Sequence, residues 1–298
     1  MLAARRLRRF GLLAWGLALA VALGDALAAG LPVALGEFKH EAWSLSRGAP
    51  SRINAITQTP DGFLWIGSVE GLFRFDGVSF EPVLAPGAAA PRLVVSSLQV
   101  TRAGELWVGL ARGRGVMVMR EGRLVDAGMP HPSREVNDIQ EDAEGGIWVA
   151  RGGRSDQGLA RWHRGQWQEF GTESGLPAQP VWGLHMARDG TVWVVLSRTL
   201  AFRRAGAPAF STTGPAISSL ASLTEDAQGR LWVSDSKGTR ALLAAEGPET
   251  FFPHPNPVGG TRLLFDRDGN LWTTTRNSGV LRIRAPGHAP PGTAAAAN

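Results

Sequence analysis

The chain contains no cysteine, so neither disulfides nor thiolate metal sites are available and the fold must be held by burial. After Leu23 no apolar run reaches the roughly twenty residues that a membrane-crossing helix needs. The histidines His40, His131, His163, His185, His254 and His288 include no pair at metal-ligand spacing. No Ser-His-Asp or paired-carboxylate arrangement is legible from spacing either, so the sequence carries no enzyme signature. Long helices are also excluded, because Gly, Pro, Asn and Asp interrupt the chain too often.

The charge balance removes another class. Arg5, Arg6, Arg8 and Arg9, the apolar stretch Phe10 to Leu23 and the small-residue site Ala26-Leu27-Ala28 read as an export leader over residues 1–28. With Asp25 counted, the leader holds a net +3 of the formal +5, which leaves the mature chain near neutral at +2. Binding nucleic acid through net charge is therefore not expected. The expected location is the periplasm, with an inner-membrane anchor if the leader stays uncleaved. The roughly 250 remaining residues are enough to bury about three quarters of their surface.

What is present is a repeat. Asp61-Gly62-Phe63-Leu64-Trp65-Ile66-Gly67 returns around Trp107, Trp148, Trp193, Trp232 and Trp272, at spacings of 42, 41, 45, 39 and 40 residues. Each copy is a glycine turn, where positive φ is needed, followed by a short strand carrying the tryptophan. Strands such as Phe63 to Ile66 are apolar without alternation, which suits a sheet covered on both faces. A period near forty with several short strands per unit gives an all-β fold, a β-propeller of about six four-stranded blades over residues 36–284. The ring is either complete with six or an incomplete seven-bladed one. Glu41 to Pro50 resembles Gln168 to Pro177, the outer strand and linker that close the third unit. Phe38 to Leu45 is therefore expected to close the last blade by pairing with Val280 to Ile283. Residues 285–298 form a low-complexity tail expected to be disordered.

Residues 61–80, Asp-Gly-Phe-Leu-Trp-Ile-Gly-Ser-Val-Glu-Gly-Leu-Phe-Arg-Phe-Asp-Gly-Val-Ser-Phe, follow Trp43-Ser44-Leu45 and Ile53-Asn54-Ala55-Ile56. This pattern closely resembles the two-component regulator propeller repeat. The resemblance implies the periplasmic sensor region of a bacterial receptor, such as a hybrid histidine kinase or diguanylate cyclase. Such receptors commonly have more repeats, seven blades to a propeller, then a β-sandwich, a membrane helix and a cytoplasmic output domain. Here six units are read and no output chemistry can be assigned, so the chain is either a stand-alone propeller or part of a receptor.

The tryptophans Trp65, Trp107, Trp148, Trp193, Trp232 and Trp272 share the one-per-blade pattern of some quinone enzymes, but their fixed place in a central strand fits packing between blades. No cofactor or metal is expected. His185, in the first strand of unit four, is the one residue to weigh against a propeller lyase, and it reads better as a packing histidine. The loops divide by charge. Turns between strands one and two carry Asp61, Asp142, Glu144, Asp189, Asp226, Asp266 and Asp268, whereas loops between strands two and three carry Arg112, Arg114, Arg151, Arg154, Arg198, Lys237, Arg240 and Arg276. One rim is thus expected to be cationic and to hold an anionic small molecule or oligosaccharide through bidentate hydrogen bonds. Two rivals stand beside this sensing role: an interaction propeller that docks a membrane signalling protein or dimer partner, and a propeller lyase.

Overall fold

The computed structural model describes residues 32–33, 41–84, 93–131, 135–152, 158–212, 217–218, 221–242, 259–275 and 279–283. Six antiparallel sheets follow one another around a ring, giving a six-bladed β-propeller. Blade one comprises Ile53–Gln58, Leu64–Ser68, Leu72–Phe75 and Phe80–Val83; the second, third and fourth repeat this order, starting at Val95–Val100, Glu135–Glu141 and Gly183–Met186. In blade five the described strands are Ser222–Glu225, Leu231–Asp235 and Gly238–Ala241, and in blade six Arg262–Phe265, Leu271–Thr275 and Gly279–Ile283. Among the described residues, helix is confined to two 3-10 turns, Leu45–Arg47 and Thr172–Ser174.

The sequence explains each hairpin. Glycines at the turn between strands one and two, such as Gly62, Gly104, Gly145, Gly190, Gly229 and Gly269, all have positive φ, which a Cβ would oppose. The following strand is buried along its length in blades two to five, as a sheet between two neighbours must be. Each repeat tryptophan of blades one to five joins the core shared with the next blade: Trp65 packs with Val95 and Val108, Trp107 with Val136 and Val149, Trp148 with Leu184 and Val194. Trp193 and Trp232 do the same toward blades five and six.

A register shift in the innermost strand adds a polar lock to three of these joints. The residue left over at each shift, Asn54, Ser96 or Asn137, donates its side chain to the next blade, to the carbonyls of Val95 at 2.8 Å, Val136 at 2.7 Å and Val181 at 2.7 Å. The bulge frees a side chain that would otherwise follow the alternation, and a buried carbonyl is satisfied by it.

The closing strand differs from expectation. Pro32–Val33 pairs with the last strand of blade six, Pro32 opposite Ile283 and Val33 opposite Arg282. Phe38 to Leu45 therefore does not take that place. Residues 38–40 lie outside the described residues, 41–44 form no strand, and Leu45–Arg47 is a 3-10 turn. The ring of Trp43 packs edge-on against Phe75 of blade one at 5.1 Å, so by this point the chain has already left blade six. The likeness of 41–50 to 168–177 is real in structure: both 3-10 turns end in a left-handed glycine, Gly48 at φ 81° and Gly175 at φ 78°. The leader over 1–28 and the tail over 285–298 lie outside the described residues. Among the described residues no helix is long and apolar enough to cross a membrane.

Candidate functional site

The acidic turn residues owe their presence first to folding. Asp142 Oδ1 accepts the amides of Glu144 and Gly146 at 3.0 and 2.7 Å, while its Oδ2 accepts the indole of Trp148 at 2.7 Å. Asp226 treats Gln228, Arg230 and Trp232 in the same way, and Asp266 treats Asp268, Asn270 and Trp272. One carboxylate thus closes the turn and fixes the tryptophan six residues on. Burial pushes these three carboxyls up, but hydrogen bonds outweigh it and hold them below the ordinary value: from Arg161 and Trp148 on Asp142, Trp232 and Arg230 on Asp226, Trp272 and Asn270 on Asp266. In blade one the hydroxyl of Thr59 receives the Trp65 indole at 2.9 Å. In blade two the Thr101 hydroxyl is taken by the Glu105 amide at 3.0 Å, and the buried Trp107 indole N–H has no partner. The signal was present in the sequence as an Asp six residues before the Trp in units three, five and six. Spacing alone did not say that the two touch.

The basic set splits. Arg112 and Arg114 are exposed in the loop after the second strand of blade two, where Arg112 has φ 64°. Arg198 is exposed at the same place in blade four, and Lys237 is exposed in the tight turn of blade five. These loops all open on one face of the ring, since every blade is wound in the same sense. Arg151 turns inward: its side chain is 2% exposed and pairs with Glu169 at 2.5 Å. Arg240 is also buried, bound to both oxygens of Asp235 at 2.7 and 3.0 Å. Asp235 also accepts the amides of Ser218 and Lys237, which fixes the blade-five turn. Neither guanidinium is available on the rim. Arg154 and Arg276 lie outside the described residues.

His185 sits between blades four and five. It pairs across the strand with Trp193 and so faces blade five, where its Nε2 lies 3.9 Å from Glu225 Oε2 with no hydrogen-bond partner. Burial, with the charge of Arg188 beside it, pushes the imidazole down to about 4, so it is neutral at ordinary pH. Glu225 is engaged by the Arg188 amide at 3.0 Å. The neighbouring joint between blades three and four carries a half-buried Asp138, whose carboxylate accepts the amides of Leu184 and Ile139 at 2.9 Å each. Burial pushes this carboxyl up, against the opposing pull of Arg262 and the two amides. Among the described residues no cluster of His, Asp and Glu has the makings of a metal site.

The family described as Two component regulator propeller matches residues 48–70. No curated protein matches the sequence. Among solved structures, the extracellular domain of BT3049 from B. thetaiotaomicron, described as a hybrid two component system, is similar with a TM-score of 0.67 at 18% identity. The match covers 82% of this chain and 35% of that one, so the chain spans about a third of that structure's length. Virginiamycin B lyase from Staphylococcus aureus is similar with a TM-score of 0.62 at 15% identity, covering 80% of this chain and 86% of the lyase. PorZ, a surface component of the type-IX secretion system of Porphyromonas gingivalis, gives 0.60 at 15%, covering 78% and 38%. At such identities the likeness shows the fold alone. Residues 48–70 thus match one two component regulator propeller repeat at the start of the first blade, and the described residues fold as a six-bladed propeller.

Proposed function

We infer that this propeller is the sensing module of an exported bacterial receptor of the two-component or diguanylate cyclase kind, working in the periplasm without catalysis of its own. The observation that carries the reading is the family match at residues 48–70, which opens the first blade and sets the plan that the other five repeat. The ligand is an anionic small molecule or saccharide fragment, held on the loop face that carries Arg112, Arg114, Arg198 and Lys237. Cations gathered on one face add their potentials and raise the local concentration of anions. His185 gives no support to a lyase reading, because its ring is packed between blades four and five.

The test is calorimetric titration of dialysed protein with anionic and neutral oligosaccharides at low ionic strength, where screening is weak. Binding of the anionic series alone is expected. Replacing Arg112 and Arg198 together by Ala should weaken it by about 1.5 to 3 kcal/mol for each charge-assisted bond lost. Affinity unchanged in that variant returns the arginines to solvated surface, and failure of every anion favours an interaction propeller.

A further inference from the structure

The innermost strand of each blade has one free edge, because its sheet continues only outward, and these edges form the wall of the central channel. In every innermost strand one residue pairs with the second residue after the repeat tryptophan, as Asp138 does with Ala150 and Arg262 with Thr274. Around the ring these residues are Ala55, Ser97, Asp138, Gly183, Ser222 and Arg262. Equal register puts them at one height, and the set is four short residues, one acid and one base. The acid and the base belong to blades three and six, which stand opposite each other in the ring.

Hydrogen bonds place this level at the channel edge. Ladder bonds fall on alternate residues of an antiparallel strand. In blade four the Ala187 amide bonds to Thr191, so the amide of Leu184, three residues earlier, points away from the second strand and toward the channel. Asp138 Oδ2 accepts that amide, and the Ser222 hydroxyl accepts the corresponding amide of Leu263 at 3.1 Å. Asp138 Oδ1 takes its neighbour Ile139, and the side chain of Gln140 donates as well. A Cβ on Gly183 would lie 3.7 Å from Asp138 Oδ2, so glycine there leaves that side of the carboxylate uncovered. These partners are dipoles and supply no counter-charge. Arg262 is exposed, and its charge pulls on Asp138 across the channel. Among the described residues neither group has an ion-pair partner, in contrast to Arg151 with Glu169 and Arg240 with Asp235.

We propose that the channel binds a small zwitterion at this level, with its amine on Asp138 and its carboxylate on Arg262. A simple anion is drawn to Arg262 and repelled by Asp138, and a simple cation the reverse. Only a molecule that carries both charges gains at both walls. The guanidinium suits a carboxylate through paired N–H donors. A carboxylate has roughly four acceptor sites, so the three bonds to Leu184, Ile139 and Gln140 leave Asp138 room for an ammonium N–H. That ammonium also supplies the counter-charge that a half-buried carboxylate otherwise lacks. The zwitterion is a second ligand, apart from the anion assigned to Arg112 and Arg198 on the loop face, and neither reading rests on the other.

The test is titration of the full chain, followed by ligand-detected NMR at low ionic strength, with glycine, β-alanine, γ-aminobutyrate and ε-aminocaproate. The series varies the distance between amine and carboxylate, and acetate and methylamine are the single-charge controls. One spacing should bind at least about tenfold more tightly than either control. Arg262→Gln, at an exposed position, and Asp138→Asn, which keeps an oxygen for the Leu184 amide, should each weaken it by about tenfold or more. Arg112→Ala with Arg198→Ala should leave it unchanged. Arg262→Glu should turn the preference to a diamine, putrescine or cadaverine, which tests Asp138 without altering it and so stands even if Asp138→Asn fails to fold. The proposal is overturned if no amino acid binds better than the controls, if affinity survives Arg262→Gln, if it falls with the loop-face arginines instead, or if Arg262→Glu takes no diamine. Failure of this series leaves the titration with anionic oligosaccharides untouched, so the two readings fail separately.

Discussion

Blade two lacks a bond that blades three, five and six possess, and the lack can be repaired. Trp107 is fully buried and its indole N–H has no partner, while the Thr101 hydroxyl accepts the Glu105 amide. Aspartate at this position would offer one oxygen to the turn and one to the indole, as Asp266 does for Asn270 and Trp272. Glu105 stands where blades five and six have Arg230 and Asn270, and its charge would oppose a new carboxylate. The variant to make is therefore Thr101→Asp with Glu105→Asn. An unsatisfied buried donor costs about 1 to 3 kcal/mol, and part of the recovery offsets the burial of a carboxylate. The expected gain is about 1 to 2 kcal/mol, or a rise of roughly 2 to 4 °C per kcal/mol in melting temperature for a domain of this size. Thr101→Asp alone should gain less. Reversible urea denaturation at pH 7 measures both. The lowered value of Asp266 implies that such a carboxylate contributes above its ordinary value and loses the contribution as pH falls through its folded value, so the gain should vanish on strong acidification. The mirror change, Asp226→Thr, leaves one oxygen for the partners of two and should cost about 1 to 3 kcal/mol. A double variant no more stable than the parent, together with a harmless Asp226→Thr, would refute the bracket as a source of stability.

Trp148→Ala should destabilise the fold by about 3 to 5 kcal/mol, since the ring stacks on Phe170 between blades three and four and its loss leaves a cavity; a loss below about 1 kcal/mol would contradict that packing. Arg151→Ala should cost about 3 kcal/mol by leaving Glu169 without its buried partner, whereas exposed Arg198→Ala should change stability by less than about 0.5 kcal/mol; equal effects in thermal unfolding would overturn the assignment of one to the core and the other to the rim. His185 is ordinarily near 6.5 and is pushed down to about 4 in the fold, so its neutral form contributes stability that is present above pH 6.5 and lost as pH falls toward 4, by at most about 3 kcal/mol. Urea midpoints between pH 7 and 4.5 should fall in the parent and much less in His185→Gln; parallel curves would refute the burial of a neutral imidazole.

Sequence by itself determined the repeat and hence the fold. Glycine turns and a tryptophan every forty residues leave few architectures, because each unit is one sheet with two apolar faces and can bury them only against copies of itself. The asymmetry of the ends was also visible, and a short N-terminal strand does complete the last blade, though it is Pro32–Val33 and not Phe38 to Leu45. Register decided that, and register depends on pairings that a one-residue slip would reverse. Loop charge was legible and its meaning was not. Asp142, Asp226 and Asp266 belong to turns, and Arg151 and Arg240 belong to buried ion pairs, because a residue's partner is set by the strand or blade beside it, often tens of residues away in the chain. The open faces of Ile56 and Leu264 belong to the same class. Each sits in a strand that reads like its buried counterparts, and only the arrangement of blades in space leaves these two exposed.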